Sequence, residues 1–116
     1  MNVAVDIDGT IDAFPRVFQS LISALASAGH RVYVITGVEG TSVTQADVDA
    51  KTAYLASMGI TMQYAVIVCP TPHDVNKVTI IQENDIDLLI DNNKDNIKAA
   101  VAVGCASLLL WNGKTS

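Results

Sequence analysis

A chain of 116 residues, half of them hydrophobic, has room for one compact domain around one buried core. Its formal net charge is −5 and its lysines and arginines are scattered singly, which disfavours a groove for nucleic acid because such grooves need grouped cations. No apolar run approaches the roughly 18 residues of a membrane span, and the N-terminus lacks the basic start of a signal peptide. We therefore predict one cytoplasmic domain over residues 1–116, with no membrane partner.

Short β-branched runs alternate with helical patterns along the whole chain. In chain order the predicted elements are a strand at 2–7, a helix at 15–29, a strand at 31–36, a helix at 44–59, a strand at 64–69, a helix at 73–84, a strand at 86–91, a helix at 94–104 and a strand at 106–111. Strands that are mostly apolar on both faces are typical of a parallel sheet covered by helices on both sides. The sequence therefore predicts a three-layer, Rossmann-like α/β domain with a five-stranded parallel sheet.

Polar side chains follow the ends of several predicted strands. In chain order they are Asp6, Asp8, Thr36, Gly37, Lys77 (in the first turns of the third helix), Asp91 and Asp95. Because ligands bind at the carboxyl ends of parallel strands, we expect these side chains to share one edge of the sheet. The stretch "VAVDIDGTID" also brings three aspartates together, so a cation, a shared proton or a ligand must neutralise some of them.

Four motifs in this order, "DIDGT", "VITG", Lys77 and "LLIDNNKD", resemble those of the haloacid dehalogenase (HAD) superfamily of aspartate-nucleophile phosphohydrolases. The short segments after the first and second strands resemble its capless subgroup. The resemblance covers nearly the whole chain. It implies a magnesium-dependent phosphomonoesterase that acts through an aspartyl phosphate, on a small phosphate monoester such as a nucleotide or a sugar phosphate.

The resemblance also implies a role for each motif residue. Asp6 would be the nucleophile and Asp8 the general acid and base, with Thr36 and Lys77 completing the catalytic set. The residues that would bind the substrate are Gly9, Thr10, Thr36, Gly37 and Lys77. The residue types suit phosphoryl transfer on chemical grounds as well, since it needs an in-line nucleophile, a proton for the leaving oxygen and counter-charge for the phosphate.

A magnesium ion is the cofactor that the resemblance implies. Its ligands would come from Asp6, Asp8, Asp91 and Asp95, and oxygen ligands of this kind are what Mg²⁺ prefers. Asp91 is followed by Asn92 where relatives often carry a second aspartate, so the second acid of this motif is Asp95 or is absent. Asp95 has an alternative role as a first-turn acid that favours its own helix dipole.

Other functions stay open at this point. "VYVITGVEGT" and "HDVNK" resemble, more weakly, the 3'-phosphatase domain of polynucleotide kinases, which implies a 3'-end phosphatase on nucleic acid. A receiver domain has similar elements, but its phospho-acceptor ends the third strand, where this chain reads "VIVCP". A phosphate-binding module that has the fold without the catalysis is a further alternative. An open, capless site would be closed by a bulky substrate or by a second subunit of a homo-oligomer.

Several residues have structural interpretations. We expect Asp12 to cap the first helix and His73 to shape the start of the third. Cys69 and Cys105 lie far apart in apolar surroundings, which predicts buried, reduced thiols. We expect Phe14 and Trp111 to be packing residues, although Phe14 is near enough to the first motif to contact a substrate.

Overall fold

The computed structural model describes residues 1–114, so residues 115–116 of the predicted domain lie outside the described part. The strands are β1 (Asn2–Val5), β2 (Arg31–Gly37), β3 (Ala65–Cys69), β4 (Leu88–Asp91) and β5 (Ala106–Leu109). The helices are α1 (Pro15–Ser27), α2 (Gln45–Ser57), α3 (His73–Glu83) and α4 (Lys94–Ala102). All strand pairs are parallel, in the order β3-β2-β1-β4-β5. The predicted five-stranded parallel sheet and Rossmann-like fold are confirmed.

Helices cover both faces of the sheet because alternate strand residues point to opposite sides. Val3 and Val5 of β1 join a core with Phe18 of α1 and Leu55 of α2. Ala4 faces the other way and belongs to a core with residues of α3 and α4. The central strand is therefore apolar on both faces, as its sequence indicates.

The strand order creates a switch point beside β1. From β1 the chain builds outward to β2 and β3, then crosses back so that β4 pairs with the other side of β1. In the register of that pair, Val5 lies opposite Ile90, so the two strands end side by side. A crevice outside the carboxyl ends of such strands is where ligands bind in open α/β sheets. Asp6 and Asp91 stand at this point.

Four strands are shorter than their sequences predict, and two of them, β3 and β4, begin later than predicted, at Ala65 and Leu88. β1 ends at Val5 because the chain then makes a wide turn over 7–11, closed by bonds from Ile11 N to Asp6 O (3.3 Å) and from Asp12 N to Ile7 O (3.2 Å). β5 ends at Leu109 rather than at 111. Strand ends depend on where pairing partners stop, which local composition does not reveal.

Asp12 does not cap α1, so that prediction is wrong. The helix begins at Pro15 after Phe14, whose side chain makes no capping bond. Asp12 instead stabilises the turn before it, because its Oδ1 accepts from Gly9 N at 2.8 Å and its Oδ2 accepts from the Tyr54 hydroxyl at 3.3 Å. Asx side chains often bond nearby backbone in this way.

The other structural predictions have mixed outcomes. Cys69 and Cys105 are buried and free, as predicted. His73 is the first residue of α3, and its Nε2 lies 2.9 Å from Val38 O. Phe14 and Trp111 are 41% and 66% exposed, so the prediction that they are packing residues is wrong. Within the described part of the chain, no helix is long and apolar enough to cross a membrane.

Candidate functional site

A buried ion cluster lies at the switch point. The Lys77 ammonium reaches across from α3 and donates to Asp6 Oδ1 at 3.2 Å and to Asp91 Oδ2 at 2.9 Å. All three residues are nearly inaccessible, with exposures of 3% for Lys77, 6% for Asp6 and 0% for Asp91. The sequence analysis expected a cation, a shared proton or a ligand to neutralise some of the three aspartates, and at Asp6 a lysine of the same chain lies in contact.

Burial governs the titration of this cluster. Burial raises the pKa of Asp6 to about 7, the Lys77 ammonium opposes the rise, and the Asp91 carboxylate adds to it. Burial alone would lower the pKa of Lys77, but the two carboxylates outweigh it and hold the pKa above its ordinary value. Near neutral pH the cluster therefore keeps a charged lysine beside a carboxyl group that is poised to exchange a proton.

Asp91 is fixed by the start of α4. Its Oδ1 accepts from Asn93 N at 3.0 Å, and its Oδ2 accepts from Asn96 Nδ2 at 3.0 Å in addition to the lysine. Asn93 is also the N-cap of α4, where its side chain accepts from the backbone N–H groups of Asp95 and Asn96. These bonds hold the Asp91 carboxylate rigidly, because both oxygens have donors.

The turn after β1 makes close contacts that require glycine. Gly9 has φ +74°, and a Cβ there would lie 2.9 Å from Asn92 Cγ. Thr10 is fully buried and donates to Asn92 Oδ1 at 3.2 Å. Asn112, from the segment after β5, donates to Gly9 O at 2.7 Å. The turn that carries Asp8 is thus held by the segments that follow β4 and β5.

The end of β2 supplies a hydroxyl and a close approach. Thr36 is fully buried, and its Oγ1 has no hydrogen-bond partner within the described residues. A Cβ on Gly37 would lie 2.7 Å from the His73 ring, so this glycine lets α3 begin against β2. Buried hydroxyls usually have a partner, so the Thr36 oxygen is an exception among the buried polar groups at this edge of the sheet.

An open cavity of about 470 Å³ lies over the ion cluster, and we call it the inner cavity. Its charged lining residues are Asp6, Asp8, Glu39, Lys51 and Lys77. Its other lining residues are Gly37, Val38, His73, Asn92, Asn93 and Asn96. The volume is within the range of small-molecule sites. The lining includes the first residue of α3 and the N-cap of α4, and helix N-termini favour anions.

The predicted site residues are only partly brought together. Asp6, Asp8, Gly37 and Lys77 line the inner cavity, and Asp91 contacts Lys77 beneath it. Asp95 is exposed in the first turn of α4 and does not line this cavity. Three residues predicted to bind the substrate, Gly9, Thr10 and Thr36, do not line the inner cavity.

The structure adds residues that the motifs did not indicate. Asn96 is buried against Asp91, and the only sequence signal was a polar residue one helical turn before the buried Ala100. Glu39 lines the cavity from the β2–α2 segment, and Lys51 lines it from α2. Nothing in the sequence distinguishes Lys51 from the other single lysines.

Whether a metal ion could be held in the inner cavity depends on the side chains that could act as its ligands. Among residues 1–114, no group of three or more His, Cys, Asp or Glu side chains is placed to hold a metal ion. Asp6 and Asp8 both line the cavity, which is a donor set of two carboxylates. Mg²⁺ is commonly held by one or two carboxylates together with water and phosphate oxygens, so these residues fit such an ion only alongside a phosphorylated ligand.

Comparison with known proteins gives structural neighbours only. No protein-family model and no curated protein matches the chain. A universal stress protein in complex with cAMP is similar over 97% of this chain and 98% of that one, with 18% identity and a TM-score of 0.60. A universal stress protein from Archaeoglobus fulgidus matches over 96% and 93% of the two chains, with 15% identity and a TM-score of 0.57.

A HAD-like hydrolase from Porphyromonas gingivalis is also similar, over 97% of this chain and 92% of that one, with 11% identity and a TM-score of 0.64. Likeness at these identities concerns the fold. Three of the four similar structures compared are universal stress proteins, including one from Burkholderia pseudomallei.

These neighbours correct the functional prediction. Because three of the four similar structures compared are universal stress proteins, the assignment to the HAD superfamily and the phosphatase function drawn from it are wrong. The short motifs misled because one α/β fold hosts many unrelated functions, and polar side chains gather at the carboxyl ends of its strands wherever a ligand binds there.

Proposed function

We propose that the chain is a binding module for a small phosphorylated molecule, such as a nucleotide or a sugar phosphate, at the carboxyl edge of its sheet. The observation that carries the proposal is the inner cavity, which joins Lys51, the first residue of α3 and the N-cap of α4 above the ion cluster of Lys77. Backbone N–H groups at helix N-termini and lysine ammonium groups are the usual ligands of phosphate. The similar universal stress protein in complex with cAMP supports a nucleotide as one such ligand.

The charges of the inner cavity say how a phosphate would be accommodated. Three carboxylates, Asp6, Asp8 and Glu39, face two ammonium groups across its lining. This excess of negative charge opposes an anion, because like charges in a partly desolvated site repel. A divalent cation held by Asp6 and Asp8 would supply the missing positive charge, so we propose that Mg²⁺ accompanies the ligand.

Lys51 and Lys77 would have different roles. Lys77 forms ion pairs with two carboxylates, Asp6 and Asp91, at the base of the inner cavity. Lys51 is half-buried on α2, and it lines the cavity without belonging to the ion cluster. Removing the Lys51 charge therefore leaves no buried carboxylate unpaired, which makes it the suitable position for testing binding without disturbing the fold.

Calorimetric titration with AMP, cAMP, ribose 5-phosphate and adenosine, each in Mg²⁺ and in EDTA, tests the proposal. We expect the phosphorylated ligands to bind in Mg²⁺ at least tenfold more tightly than adenosine, and EDTA to weaken them. Lys51→Met should weaken the phosphorylated ligands by about tenfold, the loss of roughly one charge-assisted hydrogen bond. Lys98→Met, an exposed lysine on α4 outside the cavity lining, is the matched control and should change nothing.

Two results would contradict the proposal. Equal affinity for adenosine and AMP would show that phosphate is not recognised. Release of inorganic phosphate from the bound monoesters would show that the chain is a catalyst and not only a binding module. A colorimetric phosphate assay on the same samples measures this release.

A further inference from the structure

A second cavity adjoins the inner one, and we call it the outer cavity. It has a volume of about 740 Å³ and shares two lining residues, Asp8 and Asn92, with the inner cavity. The remainder of its lining comes from the β1–α1 turn and from the segment after β5, including Phe14, Asn112 and Lys114. A ligand whose phosphate occupies the inner cavity can therefore extend past Asp8 and Asn92 into the outer one.

Phe14 gives the outer cavity its chemical character. Its side chain is 41% exposed although an aromatic ring of this size gains most from burial. Both polar groups of its backbone are hydrogen-bonded: Phe14 N donates to Ile11 O, and Phe14 O accepts from Phe18 N, each at 3.2 Å. The next residue, Pro15, begins α1. An exposed ring on an anchored backbone is a ready stacking surface, because little conformational entropy is lost when a partner covers it.

We infer that the outer cavity is the subsite for the base of a nucleotide, which stacks on Phe14 while the phosphate occupies the inner cavity. This rests on the proposed function and narrows it from phosphorylated molecules in general to nucleotides. A sugar phosphate has no flat π-face to cover the ring, whereas every nucleobase has one. Stacking of this kind does not distinguish bases strongly, so we expect broad tolerance of the base and strict dependence on its presence.

The contacts around the turn support a preformed subsite. Asn112 donates to Gly9 O at 2.7 Å, and its Oδ1 accepts from Lys114 N at 3.0 Å, which fixes the far wall of the cavity. Asp12 is bonded to Gly9 N and to the Tyr54 hydroxyl, which fixes the near wall. The walls on both sides of the ring are thus held by hydrogen bonds before any ligand arrives.

Affinity measurements for AMP and ribose 5-phosphate, which differ by the base, test this inference in Mg²⁺. The variants are Phe14→Ala, Phe14→Tyr and, as a matched control in the first turn of the adjoining helix α1, Val17→Ala, whose side chain is 60% exposed and does not line the cavity. We expect Phe14→Ala to weaken AMP about tenfold or more, the range for loss of one stacked base, and to leave ribose 5-phosphate within twofold. Phe14→Tyr should retain AMP affinity because tyrosine keeps the ring.

The possible failures are distinguishable. Unchanged AMP affinity in Phe14→Ala, or an equal loss for both ligands, would overturn the base subsite and leave phosphate binding intact. Failure of both ligands to bind the unaltered protein would overturn the proposed function itself. Circular dichroism and thermal melting of each variant establish that the affinities compare folded proteins.

Discussion

Replacing Asp6 by asparagine should remove a large part of the pH dependence of stability. The folded-state pKa of Asp6 is about 7, against an ordinary value of 3.8, and burial is the main cause. Between these two values the folded protein binds a proton at Asp6 that the unfolded chain releases. The contribution of Asp6 to the free energy of unfolding is therefore largest at acidic pH. It falls as the pH rises towards 7 and is constant above pH 7.

The size of the effect follows from the two pKa values. Each pH unit between them changes the free energy of unfolding by about 1.4 kcal/mol, and the curvature near pH 7 reduces this slightly. From pH 5 to pH 8 the unaltered protein should lose about 2–3 kcal/mol through Asp6 alone. In Asp6→Asn the amide cannot ionise, and Lys77 still has the Asp91 carboxylate as its partner, so we expect the fold to survive without this loss.

Urea unfolding at half-unit steps from pH 5 to pH 8, in EDTA, measures the difference. All other ionisable groups are the same in both proteins, so subtracting the Asp6→Asn curve from that of the unaltered protein isolates Asp6. Asp49→Asn, an exposed aspartate on α2, is the control and should keep the original slope. If Asp6→Asn shows the same slope as the unaltered protein, Asp6 is ionised throughout this range and the reasoning about its burial fails.

Two further substitutions test how the site is held. Lys77→Met leaves two buried carboxylates without their cation. We expect this change to lower the free energy of unfolding by about 3–5 kcal/mol, and by more at pH 8 than at pH 5. A loss below about 1 kcal/mol, measured by urea unfolding, would contradict the ion cluster. Gly9→Ala meets both a positive φ and the Asn92 side chain, whereas Gly29→Ala meets a positive φ in open space. We expect Gly9→Ala to be the more destabilising by roughly 1 kcal/mol or more, and equal effects in a thermal melt would show that the close approach is unimportant.

Local patterns in the sequence predicted the order of the elements well. Hydrophobic periodicity and glycines such as Gly29 and Gly59 report on the few residues around them, and helix and strand type are decided at that range. The edge of the sheet where Asp6 and Asp91 meet was predictable for the same reason, because parallel strands always carry their carboxyl ends on one side.

The partners of the site side chains were not predictable in this way. Asn112 bonds to Gly9 across 103 positions of the chain, and Lys77 to Asp6 across 71. Such contacts depend on strand order and helix orientation, which no window of sequence contains. Thus Lys77 was expected to hold a phosphate, and the structure commits its ammonium to two carboxylates.

The three aspartates near the start of the chain differ in their contacts. Asp6 is neutralised by Lys77, and Asp12 is satisfied by the backbone of its own turn and by Tyr54. Asp8 differs from both, because it is exposed and lines the inner and outer cavities alike. A carboxylate in water costs little to keep charged, whereas one that must meet a phosphate needs a cation beside it. Asp8 is therefore the aspartate that a ligand spanning both cavities would contact, and the bonds of Asp6 and Asp12 hold the turn around it.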